Sequence, residues 1–211
     1  MKSRADFLKS ASFLIGLAAL SIGAGRANGQ NSQPFSVQAS GIYSDLFGDQ
    51  FTALKAGTGF EAQLRYTRGA KSLGGGVQYT VHGDSDADRD GQDAKINLVG
   101  LFLEPRYVIN VGSSRAAPYL SARLAVARFD VRVNFSNGEV LTFNSNGVTM
   151  NGGGGILVSL TPRVNLDAGA TLGYSNYNDT VGDVSGKPFD MPMGSGTNVV
   201  VRLGLAIGIG K

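Results

Sequence analysis

From residue 35 onward, apolar and polar side chains alternate along most of the chain, the period of a β-strand whose two faces lie in different surroundings. Phe35, Val37, Ala39, Gly41 and Tyr43 oppose Ser36, Gln38 and Ser40. The next segment sets Phe60, Ala62, Leu64 and Tyr66 against Glu61, Gln63, Arg65 and Thr67, and the third sets Leu73, Gly75, Val77, Tyr79 and Val81 against Ser72, Gln78, Thr80 and His82. A fourth, over 95–109, is apolar on both faces in its middle and resolves into Leu101, Leu103, Tyr107 and Ile109 against Glu104 and Arg106. A fifth opposes Leu120, Ala122, Leu124 and Val126 to Ser121 and Arg123. Three more place Val148, Met150, Ile156, Val158 and Leu160 against Thr149, Asn151 and Ser159; Val164, Leu166, Ala168, Ala170, Leu172 and Tyr174 against Asn165, Asp167 and Thr171; and Val199, Val201, Leu203, Leu205, Ile207 and Ile209 against Arg202, Gly204 and Ala206.

The parity breaks twice. Near Val99 and Gly100 it slips, as a β-bulge would make it do. Beyond Arg128 it inverts, with Phe129, Val131, Val133 and Phe135 on the other phase, so that the strand either bulges or leaves its apolar surroundings. The connections alternate in length. Short ones lie at 69–71, 110–117 and 161–163, and long ones at 44–56, 83–94, 136–146 and 178–195. Eight strands so joined predict an all-β fold, an eight-stranded antiparallel up-and-down transmembrane β-barrel with short periplasmic turns and longer extracellular loops.

The start of the chain fixes the compartment this expectation implies. Lys2, Arg4 and Lys9, an apolar stretch over 13–22 and a small-residue run over 23–29 form a secretory signal peptide over 1–29, leaving 30–211 as the barrel domain. That apolar stretch is shorter than the roughly 20 residues a transmembrane helix needs. Of 19 basic and 16 acidic residues the leader holds four and one, which leaves 15 of each, so the basic character of the whole chain does not argue for nucleic acid. Zero cysteines exclude a disulfide framework. Gly supplies 31 of 211 residues, about twice the usual share. A soluble lipocalin-like barrel shares the period, but it would turn its apolar faces inward and bury the ionised ones at several kcal/mol each unless paired.

The polar face carries the candidate chemistry. Glu61, Arg65, Glu104, Arg106, Arg123, Asp167 and Arg202 all point inward on this reading. Eight strands enclose a bore only wide enough for side chains to fill, so these groups are expected to pair as a plug; the other reading is a narrow pore. In the loop after the third strand, Asp84, Asp86, Asp88, Asp90 and Asp93 cluster around Gly91, either as an acidic, solvated surface loop or as the first half of a calcium loop. The bidentate Glu that would complete an EF-hand is replaced by Asn97, and no other cofactor is expected. His82, the one histidine, lies near Asp84 and Ser85 without a nucleophile motif, so no catalytic residue is assigned. The runs 74–76 and 152–155 of glycine sit within strands rather than before a helix, and there they make room for bulky neighbours. Tyr43, Tyr79 and Tyr174 at one end and Phe35, Tyr66, Tyr107 and Tyr119 at the other are expected to form the aromatic girdles.

The last strand, with Arg202, Gly204, Ile207 and Ile209, resembles the insertion signal of outer-membrane proteins, although Gly210-Lys211 stands where the terminal aromatic would be. Together with Leu103-Glu104-Pro105-Arg106-Tyr107 and Pro118-Tyr119-Leu120, the pattern resembles the OmpA/OmpX-like family of small outer-membrane barrels, also described as porin-like β-barrel domains. The resemblance implies a monomer in the bacterial outer membrane with both termini periplasmic. Its partners would be outer-membrane lipid, lipopolysaccharide and, during insertion, the barrel-assembly machinery. It implies a closed structural or surface-interaction barrel and no enzyme; a channel for small solutes or a lipid-modifying enzyme are the alternatives.

Overall fold

The computed structural model describes residues 33–83, 93–113 and 115–210, so the expected signal peptide, most of the acidic loop and Lys211 lie outside it. Among the described residues the chain forms β1 (Phe35–Phe47), a 3-10 turn (Asp49–Phe51), β2 (Gly57–Arg68), β3 (Lys71–His82), β4 (Asp93–Val108), β5 (Ala116–Asn134), β6 (Val140–Thr161), β7 (Val164–Tyr177), β8 (Thr180–Val184), β9 (Lys187–Met191) and β10 (Ser195–Ile209). All pairings are antiparallel. β1 to β7 follow one another around the sheet, β10 pairs with both β7 and β1, and the ring of eight closes at Phe35↔Ile209. Closure leaves the ring without an unpaired edge.

Leu64, Val77, Leu101, Leu124, Val148 and Leu203 stand out from the wall exposed, while the alternate positions Gln38, Glu61, Glu104, Asp167 and Arg202 are buried inside. Phe35 stacks on Tyr66 at 5.1 Å and Phe60 on Tyr79 at 5.7 Å along the outer face. Tyr119 departs from the expected girdle: it points into the barrel and is 2% exposed. The deciding fact is parity, since Tyr119 shares its phase on β5 with Ser121 and Arg123, both buried in the lumen.

Neither parity break is a bulge. β4 and β5 stay in one register from Asp93↔Asn134 to Val108↔Tyr119, and β5 and β6 from Ala116↔Val158 to Asn134↔Val140. What changes is chemistry, not geometry. Arg123, Ala125, Ala127, Phe129, Val131 and Val133 all face inward in unbroken alternation, while the outward positions pass from Leu124 and Val126 to Arg128, Asp130 and Arg132. On β4 the inward set passes likewise from Arg106 and Glu104 to Phe102, Leu98 and Ile96. Below this level the barrel is apolar outside and polar inside; above it the two faces exchange character.

The strands therefore run on where loops were expected. Segment 136–146 is mostly the start of β6, leaving a turn over 135–139 in which Gly138 has φ 86°. At 19 and 22 residues, β5 and β6 far exceed the 9–11 that a tilted strand needs to cross a bilayer. The last long connection contains the β8–β9 hairpin, which pairs with the start of β6 at Leu141↔Val184. Positive φ at both Ser185 and Gly186 gives that hairpin the primed turn that suits strand twist.

Residues of the projecting strands and the long connections gather above the charged residues. Leu46, Phe51, Leu54, Ile96, Leu98, Phe129, Val131, Tyr177 and Met193 form one buried apolar cluster. Phe51, from the 3-10 turn, packs edge-on against Phe129 and Tyr177 with centroids 6.4 and 6.0 Å away, and those two rings lie 5.6 Å apart.

Candidate functional site

The alternation of β2, β4, β5, β7 and β10 turns one ionised side chain or more from each into the middle of the barrel. All seven of the inward charged residues singled out in the sequence lie there, each 5% exposed or less. Glu104 is the hub. Its Oε1 accepts from Arg65 Nη2 at 3.1 Å, Arg106 Nε at 2.5 Å and Arg202 Nη2 at 3.0 Å. Its Oε2 accepts from Arg123 Nε at 2.8 Å and Arg202 Nη1 at 2.6 Å. Arg202 thus grips the carboxylate bidentately, the geometry in which a guanidinium binds most firmly.

The other two acids extend the network to either side. Asp167 accepts from Arg106 Nη1 at 2.7 Å and from the Tyr119 hydroxyl at 2.6 Å, and that hydroxyl in turn accepts from Arg202 Nη2 at 3.0 Å. Glu61 Oε2 lies 2.8 Å from Arg123 Nη1, which also donates to Gln78 Oε1 at 3.2 Å. Arg65 donates to Ser72 Oγ, to the Gln63 amide oxygen and to the Glu104 backbone carbonyl. The guanidinium of Arg123 lies 3.9 Å over the Phe102 ring and that of Arg106 4.4 Å over Tyr119. Charged groups are held here by partners on strands across the bore, which is what a buried ion needs to offset its lost hydration.

Small residues clear the space these long side chains occupy. A Cβ at Gly74 would sit 2.5 Å from the Gln63 amide and 2.6 Å from Arg65, and one at Gly155 or Gly169 would meet the Tyr119 hydroxyl. The second glycine run is not uniform: a Cβ at Gly152 would meet nothing within 4 Å, whereas one at Gly153, Gly154 or Gly155 would run into a neighbouring backbone carbonyl.

The remaining candidates are placed separately. Arg202 of the terminal strand belongs to the charge network, Ile207 and Ile209 stand exposed on the outer wall, and Gly204 lies against Ala39 and Ser40. Asp84, Asp86, Asp88 and Asp90 lie outside the described residues; Asp93 opens β4 opposite Asn134. Among the described residues no group of three or more His, Asp or Glu side chains could hold a metal ion. His82 is spent on structure. Its Nδ1 lies 3.0 Å from the Lys55 carbonyl, which can only accept, so Nε2 is left to accept from the Thr80 hydroxyl, also at 3.0 Å.

Sequence reasoning did not foresee Tyr119, Gln63, Gln78 and Phe102 as members of the network. Parity could have placed all four; what it could not supply was that they touch these arginines. Nor did it foresee the apolar cluster above, which draws on β1, β4, β5, β7 and the connections between strands at once.

A closed ring of eight antiparallel strands with a charged interior and an apolar wall decides the architecture. This is the fold of the small outer-membrane β-barrels. Neisserial surface protein A matches with a TM-score of 0.53 and 21% identity over 83% of this chain and 97% of its own. A major outer membrane protein from Thermus thermophilus matches at 0.55 and 16%, over 83% and 98%. Ail, the attachment invasion locus protein of Yersinia pestis, matches at 0.50 and 14%, over 82% and 96%. No protein-family model and no curated protein matches the chain. The barrel is thus shared in backbone form with proteins to which this chain is 14–21% identical in sequence.

Proposed function

We propose that this protein is an integral barrel of the bacterial outer membrane, closed along its bore, that presents its long-loop end to the exterior. The observation that carries the reading is the network centred on Glu104, where four guanidiniums from four strands meet one carboxylate in the middle of the bore. The apolar cluster around Phe51, Phe129 and Tyr177 adds a second stopper above it. The outward belt of Leu, Val and aromatic side chains supports immersion in lipid, because a soluble wall would not expose so many at once.

Residues 1–29 would export the chain, and the short turns would face the periplasm together with both termini. Acidic residues such as Asp49, Asp179, Asp183 and Asp190 on the long connections would meet surface partners or divalent cations, and the calcium role of the 84–93 loop belongs to this proposal. No enzyme is proposed: the Thr80–His82 pair is buried, and His82 Nδ1 faces a backbone carbonyl rather than a carboxylate.

Purified protein in planar lipid bilayers tests the reading. No stable single-channel openings are expected from the wild type; steady openings with fixed conductance would replace the closed barrel with the narrow channel.

A further inference from the structure

The lumen network does not balance. Among the described residues it sets Arg65, Arg106, Arg123 and Arg202 against Glu61, Glu104 and Asp167, an excess of one positive charge in a buried space. Arginine does not surrender its proton inside proteins, so the excess cannot be removed by titration. An uncompensated buried ion costs several kcal/mol even after relaxation.

Next to that excess lies a cavity of about 30 Å3, at the short-turn end of the bore, lined among others by Ser36, Gln38, Arg65, Ser72 and Arg106. Arg65 Nε and Arg106 Nη2 are buried N–H donors without a partner, and both side chains belong to this lining. Gln38 Oε1 is unpartnered too, while its Nε2 faces the Ser40 hydroxyl at 3.0 Å. Turning that amide over would let Ser40 donate to Oε1 and bring Nε2 round as a third donor. About 10–15 Å3 of such space suffices for one water. The cavity therefore has room for one halide with a water beside it.

We propose that this cavity is a binding site for a single small monovalent anion, chloride in the cell, held by Arg65 and Arg106 and neutralising the lumen. Buried donors on two strands, net positive charge and room for a small ion coincide there. The site follows from the lumen alone and does not depend on whether the barrel conducts or which end faces outward.

Thermal unfolding of the full barrel in detergent micelles, in sodium chloride, bromide or gluconate at equal ionic strength, tests it. Chloride and bromide should raise the midpoint saturably by several degrees over gluconate, which cannot enter. Arg65→Gln, which leaves three charges of each sign, should abolish the difference. Identical midpoints in all three salts, or a halide effect undiminished in Arg65→Gln, would overturn the proposal. Should that variant fail to fold, bromide-soaked wild-type crystals decide: an anomalous peak beside Arg65 and Arg106 supports the site, and water alone in the cavity ends it.

Discussion

At the scale of the residue, Glu104 holds the interior together because it is the one carboxylate that four guanidiniums share. Replacing it by Gln keeps the shape and removes the charge, leaving four cations facing two acids. Glu104→Gln is expected to cost about 3–5 kcal/mol, the penalty of breaking a buried pair from one side, measurable as a fall in the urea midpoint for folding into lipid vesicles. Tyr119→Phe removes only a hydroxyl, but one that donates to Asp167 and accepts from Arg202. Its loss should cost about 1–3 kcal/mol in the same assay, since it orphans buried partners. A smaller loss for Glu104→Gln than for Tyr119→Phe would contradict the hub.

At the scale of the element, each strand obeys one geometric rule and two chemical ones. Along β5 the inward positions go from charged to apolar and the outward from apolar to charged at the level of Arg128, with register unbroken. If that level is the membrane boundary, Leu124→Arg should cost about 2–4 kcal/mol, as a charge placed on the lipid face does near the midplane. Arg128→Leu, four residues on, should move the folding midpoint little; equal effects at both positions would remove the boundary. Strand β6 offers a parallel contrast within one glycine run. Gly152→Ala should be neutral or stabilise by about 0.4–1 kcal/mol through a stiffer unfolded chain, whereas Gly155→Ala drives a methyl into the Tyr119 hydroxyl and the Ala168 carbonyl and should destabilise by about 1–3 kcal/mol. Period two puts the two on opposite faces of one strand, and only the neighbours across it decide how closely each is hemmed in.

At the scale of the whole molecule, the proposed closed barrel would be stopped twice, by ions in the middle and by apolar side chains at the long-loop end. Removing one stopper should leave the other. Glu104→Ala alone is therefore expected to remain silent in planar bilayers, and Glu104→Ala combined with Phe51→Ala and Phe129→Ala to show openings. Openings from Glu104→Ala by itself would mean that the apolar cluster does not seal.

The alternation of side chains by itself determined the eight strands of the ring, their inward and outward faces and the seven charged residues of the lumen, though not the β8–β9 hairpin, because a pleated strand assigns faces by parity and a wall between unlike surroundings writes that parity in chemistry. It even carried the level of exchange at Arg128, although as a change of phase that chemistry alone could not tell from a bulge. Backbone register separates the two, and register exists only between strands. Which arginine meets which carboxylate, the placing of Tyr119 between Asp167 and Arg202, the cavity beside Arg65 and the gathering of Phe51, Phe129 and Tyr177 were decided by tertiary structure. Those contacts join residues tens of positions apart, and they come within reach only when the sheet closes on itself.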